Sequence, residues 1–121
     1  MHKGVNMASK TLSILFMARD IAHKEHLKTG SYAQHMALGS FYEDVIGLAD
    51  SLAEAYQGKY GIVKEIPTIA LKGNKNISAQ LKICVEMIEK DRNEYDPFLQ
   101  NIIDSAIALF YSTIYKLDHL K

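Results

Sequence analysis

Residues 31–58 read SYAQHMALGSFYEDVIGLADSLAEAYQG, and this stretch decides the fold. Ser31 and Gln34 have the spacing of a capping box, a hydroxyl at the cap and an amide three residues on. His35, Leu38, Tyr42, Val45, Ala49, Leu52 and Tyr56 then recur at alternating steps of three and four. That is a heptad seam, the pattern of a helix packed nearly antiparallel against its neighbours in a bundle. Gly58, backed by Gly61, marks its end. Gly39 and Gly47 lie inside the helix, where each costs about 1 kcal/mol relative to alanine. Close approach of another helix, from this chain or a second copy, is the expected compensation; a tolerated surface glycine is the alternative.

Three further helical stretches flank this one. The first covers about 9–28, with Ser9 as the cap, and Gly30 stops it. Leu12, Leu15, Ala18 (or Arg19), Ala22 and Leu27 form its apolar line, widened by Phe16 and Met17. The third covers about 77–91 and buries Leu81, Cys84, Val85 and Ile88, Cys84 as a small apolar core residue. The fourth covers about 97–120 and opens with Asp96-Pro97, a cap followed by proline at the first helical position. Leu99, Ile103, Ala106, Phe110, Thr113, Leu117 and Leu120 give its inner face. Between Lys59 and Lys75 the helical pattern stops, through Ile66-Pro67 and Gly73-Asn74. Tyr111 and Tyr115 are expected to pack on this connection, which needs cover for Ile62, Val63, Ile66 and Ile69; an interface or ligand pocket is the alternative. A connection of that length is long for a helix hairpin. It would let the second and third helices run parallel, as in ferritin-like bundles. The expected fold is all-α: a ferritin-like four-helix bundle in a single domain, 1–121.

Composition narrows the function. The chain has 121 residues, which allows one domain. It carries 14 basic and 14 acidic side chains. That balance argues against a DNA binder working through a basic face, whose affinity comes mostly from neutralised phosphates. One cysteine excludes an internal disulfide and a multi-cysteine zinc site. No apolar run approaches the ~18 residues of a spanning helix, and Met1-His2-Lys3-Gly4 opens no signal peptide. A cytoplasmic protein with no membrane partner is expected. No phosphate-binding glycine loop and no nucleophile elbow occurs, so no catalytic residue is assigned.

Histidines and carboxylates form the one constellation with chemistry. Glu-x-x-His, which a di-iron centre within one chain needs on two helices, does not occur; Asp20-x-x-His23 comes nearest. His23 and His35 lie twelve apart, Asp50 follows fifteen later, and Glu54 four after that. These intervals resemble those of the Dps branch of the ferritin-like proteins, the small ferritins that protect DNA. His26-Leu27, Thr29-Gly30-Ser31-Tyr32, Leu52-Ala53-Glu54 and Tyr115-Lys116-Leu117-Asp118-His119-Leu120 are also similar to that family. The phrase EAYQGKYG at 54–61 looks closest to short phage-encoded Dps-like proteins. The resemblance implies a metal site of His23, His35, Asp50 and Glu54, shared between two chains that pair through helices 1 and 2. It implies a homo-oligomer, dimer or larger, that binds and oxidises ferrous iron, with iron as the cofactor or cargo. Gly39 stands where the family has a further acid, and His26 competes with His23 as the counterpart. No counterpart of the family's basic tail is expected, since residues 1–10 carry only Lys3 and Lys10. The alternatives are a non-enzymatic binding protein for a host protein or a small anionic ligand such as a nucleotide, and a structural assembly component.

Overall fold

The structure is a computed structural model and describes residues 6–73 and 75–121. Lys3 and Asn74, used above, lie outside the described residues. Among the described residues, four α-helices make up the architecture: α1 (Met7–Lys28), α2 (Tyr32–Tyr60), α3 (Ile77–Asp91) and α4 (Pro97–His119). A short 3-10 turn, Arg92–Glu94, joins α3 to α4. The helices stand in a square. α1 touches α2 and α3, and α4 touches the same two helices.

Contacts at the helix ends fix the directions. A three-residue turn joins α1 to α2, so they run antiparallel. Lys10 at the start of α1 pairs with Asp91 at the end of α3, 3.0 Å apart. Lys59 and Tyr60 at the end of α2 reach Asp96 at the start of α4. Ser78 at the start of α3 donates to Asp118 at the end of α4, 2.6 Å away. α2 and α3 therefore point the same way. The chain between them, which carries no helix among its described residues, travels the length of the bundle beside α1.

The seam of α2 is buried largely as its period dictates: Leu38, Val45, Ala49, Leu52 and Tyr56 face the core. Phe41 replaces Tyr42 at the centre. Its ring meets Phe110 of α4 edge to face, centroids 5.0 Å apart, and both rings are fully buried. Tyr42 and His35 lie one position round the helix, half-buried, facing α1. α1 is buried over a far wider arc than its apolar line predicts. Ser9, Thr11, Ser13 and Ile14 join Leu12 and Leu15 inside, because the connection covers the side that α2 and α3 leave open. Leu27, expected in the core, is 71% exposed at the helix end.

Several caps differ from expectation. Asn6, not Ser9, caps α1, its side chain accepting from the Ser9 N–H at 2.8 Å. Ser9 instead turns its hydroxyl to the carbonyl of Glu65 in the connection. Ser31 caps α2 as expected, but Gln34 does not close the box. Its amide donates to Thr29 Oγ1, which also accepts from the Ser31 N–H. α2 runs through Gly58 and ends at Gly61, whose φ of +95° is the left-handed conformation glycine tolerates. Asn76 caps α3 by accepting from Ala79. Asp96 and Pro97 open α4, but the Asp96 side chain makes no cap bond.

Tyr111 and Tyr115 do not serve the connection. Tyr111 donates to Glu89 of α3 at 2.8 Å, and Tyr115 stays 57% exposed beside His119. Val63 and Ile69 of the connection are covered by the core, while Ile62 and Ile66 remain exposed.

Candidate functional site

The turn between α1 and α2 collects three of the chain's imidazoles. Helix α1 ends with His23 and His26 one turn apart, and α2 begins with His35, so the hairpin stacks them. His26 and His35 lie ring on ring, centroids 3.8 Å apart and 17° from parallel. Each binds the other's backbone: His26 Nδ1 is 2.7 Å from the His35 carbonyl oxygen, and His35 Nδ1 is 2.8 Å from that of His26. A carbonyl only accepts, so both rings donate from Nδ1, and a neutral ring then keeps its lone pair on Nε2. The His26 carbonyl belongs to the last turn of α1, which leaves its carbonyls without intrahelical partners. His35 supplies one. The pair is a reciprocal clasp on the hairpin.

His23 stacks on Tyr42, centroids 4.1 Å apart and 13° from parallel, and Tyr42 meets His26 edge to face. Gly39 is explained here. A Cβ at that position would sit 3.0 Å from His26 Cε1 and 3.2 Å from its Nδ1. The close approach expected at this glycine is real, but it comes from a histidine ring of the same chain. Gly47 has open space around it, so nothing in the structure requires glycine there.

Of the four expected metal ligands, the structure places His23 and His35 in this cluster and leaves Asp50 and Glu54 outside it. Both acids are exposed on α2. Asp50 lies about 22 Å along the helix axis from His35, and Glu54 about 28 Å. Among the described residues no group of three or more His, Cys, Asp or Glu side chains could hold a metal ion. His26, the competing counterpart, is the ring that engages His35. The twelve-residue interval therefore does not pick out the pair in contact.

Other polar groups have structural work. Asp96, the expected cap, is held by Lys59 and Tyr60 instead. Its carboxyl is pulled below the usual value of 3.8 by the Lys59 ammonium and then by the Tyr60 hydroxyl. Lys59 is pushed up mainly by its bond to Asp96. Because the folded Asp96 value is depressed, its contribution to stability is present above pH 3.8 and is lost as pH falls through the lower folded value. Asp104, beside Arg92, and Asp118, beside Ser78 and Lys82, act in the same direction. Thermal midpoints between pH 7 and pH 2.5 should fall with acid, and Asp96→Asn should flatten that fall. A variant curve parallel to the parent's would remove Asp96 from the account. Cys84 is fully buried, and burial pushes its thiol up to about 12, so it is no nucleophile at neutral pH.

Fold and site together define a four-helix bundle with a histidine-clasped first hairpin and a long crossover that carries no helix among its described residues. The chain belongs to a family of unknown function, DUF5856, whose model matches residues 26–117. His26, His35, Asp50 and Glu54 fall inside the matched span; His23 does not. No curated protein and no solved structure matches the chain. No helix among the described residues is long and apolar enough to cross a membrane.

The clasp, the Gly39 contact and the Asp96 cluster were not legible beforehand. The spacing of His26 and His35 carries no periodic signal, because a turn lies between them. The one readable hint was a glycine in mid-helix opposite a histidine-rich helix end.

Proposed function

We propose that the chain is a ferritin-like scaffold that pairs through α1 and α2 and takes iron between two copies. The observation that carries the reading is the placement of four side chains on one hairpin. His23 and His35 stand at one end, and Asp50 and Glu54 stand exposed near the other, with no hydrogen bond or ion pair to another described residue. A second copy packed antiparallel, with its two-fold axis near residue 43, sets the acids of each chain against the histidines of the other. The parallel course of α2 and α3 through a long crossover agrees with ferritin-like connectivity. The donor chemistry fits as well. His35 gives its Nδ1 proton to a carbonyl and keeps Nε2 as a ligand atom, and imidazole with carboxylate suits iron. Ferrous iron is the substrate of the oxidation such a site performs. With 14 basic against 14 acidic side chains, DNA protection is not part of the proposal. The cytoplasm, that of the host cell if the chain is phage-encoded, is the compartment that suits it.

A second reading rests on the clasp. His26 and His35 hold the hairpin together, and a side chain at position 39 would crowd His26. On this view the scaffold has lost iron chemistry and serves as a non-enzymatic binding protein for a host factor or small ligand, or as an assembly component. Solution mass combined with metal analysis and ferrous-iron oxidation separates the two. Iron in a dimer or larger assembly, with a ferric absorbance that Glu54→Ala and His35→Ala abolish, supports the first reading. Glu54 is exposed, so its variant keeps the fold. A colourless, metal-free protein after iron and peroxide ends the first reading and leaves the second.

A further inference from the structure

Residues 66–71 pass alongside α1 without forming helix, and a cleft of about 620 Å³ lies between them and the helix. Pockets that hold small organic ligands measure roughly 300–1,000 Å³. Phe16, Met17 and Ile21 of α1 and Ile66, Pro67 and Ile69 of the connection give the cleft apolar walls. Ser13 lines it too. It is only 3% exposed, and its Oγ has no hydrogen-bond partner and is shut off from solvent, so a ligand group reaches it only as the outer wall shifts. A buried hydroxyl without a partner is costly, so native structures seldom leave one in that state. Asp20 and Lys24, also lining the cleft, pair with each other at 2.9 Å and leave it no net charge.

The outer wall can yield. Among the described residues no backbone–backbone hydrogen bond holds 62–73. The segment is tied by Ser9 donating to the Glu65 carbonyl, by the Val63 N–H donating to Gln57 Oε1, and by packing of Val63, Ile69 and Leu71. None of the lining residues belongs to the histidine cluster.

We propose that this cleft binds a neutral, mostly apolar small molecule whose one polar group hydrogen-bonds to the Ser13 hydroxyl. Size and lining set the apolar body, and the unpaired Oγ sets the position of the polar group. The site is independent of any metal between chains.

Titration of the full chain with phenylnaphthylamine, a neutral fluorescent amine with a single N–H, tests the proposal. Saturable one-to-one binding with enhanced emission is expected. Ser13→Ala should weaken it about three- to tenfold, the worth of one hydrogen bond. That variant should fold at least as well as the parent, since it removes an unpaired hydroxyl and adds a better helix former. Ala70→Trp, at an exposed position that lines the cleft, should obstruct it with a bulky ring and abolish binding while leaving the helical signal unchanged. Absence of saturable binding overturns the proposal, and so does binding that survives Ala70→Trp. Equal affinity in Ser13→Ala and parent overturns the role given to Ser13.

Discussion

Phe110→Ala is expected to lower the unfolding free energy by about 3–5 kcal/mol, the usual cost of truncating a buried phenylalanine. The ring is fully buried where α4 crosses α2, edge to face with an equally buried Phe41. Truncation removes the burial of the ring, leaves a cavity, and deletes an aromatic pair worth roughly 0.5–1.5 kcal/mol beyond its area. A domain of this kind has only about 5–15 kcal/mol in total, so the variant should melt far below the parent or fail to fold at growth temperature. Phe110→Leu keeps most of the volume and should fall well short of that loss. Denaturant unfolding of both variants, with Phe41→Ala alongside, checks the account. The double alanine variant should lose less than the two singles together, because both side chains border one cavity. Full additivity would mean that the two rings do not share a site.

Tyr95→Phe is expected to cost about 1–3 kcal/mol, the penalty of leaving a buried polar group unpaired. Tyr95 follows the short turn after α3, and its ring is buried under α1. Its hydroxyl hydrogen-bonds Thr11 Oγ1 and donates to the Met7 carbonyl at 3.0 Å. Burial pushes the phenol up to about 12, with the Thr11 bond acting against it, so the hydroxyl stays protonated through the neutral range. The Met7 carbonyl keeps its helical bond when the phenol is lost, whereas Thr11 is left with a buried, unpaired hydroxyl. Thr11→Val alone should also destabilise. The pair Thr11→Val with Tyr95→Phe should recover much of the loss, because both polar partners are then gone. A double-mutant cycle by urea unfolding measures this. A pair no better than the sum of its singles would show that the hydrogen bond is not the source of the cost.

The helices were legible because their signals are local. The step of three and four in α2, the Asp96-Pro97 start of α4 and the Leu81-Cys84-Val85-Ile88 face of α3 all lie within a few turns of chain. Errors arose where a third body intervened. Ser9 reads as a cap, but the connection claims its hydroxyl and Asn6 takes its place. Tyr42 falls on the ideal seam, yet α4 offers Phe110 to Phe41, and the helix turns accordingly. The arc of α1 is wider than any two-partner bundle predicts, because residues 66–71 cover its outer side.

The candidate site was legible only as residue types. His23, His35, Asp50 and Glu54 stand out by their intervals, and two of them do sit in an imidazole cluster. The ring that meets His35 is His26, a choice made by the geometry of a three-residue turn. Asp50 and Glu54 cannot join it within one chain, because a helix holds its residues a fixed distance apart.

By itself the sequence determined four helices, many of their buried positions and a charge balance of 14 against 14, since periodicity and composition need no tertiary information. Only the tertiary structure decided that His26 and His35 clasp each other, why position 39 is glycine, that Asp96 serves Lys59 and Tyr60, and that Ser13 lies unpaired beside an apolar cleft. These are relations between groups separated along the chain, fixed by packing, and no local pattern encodes the distance between them.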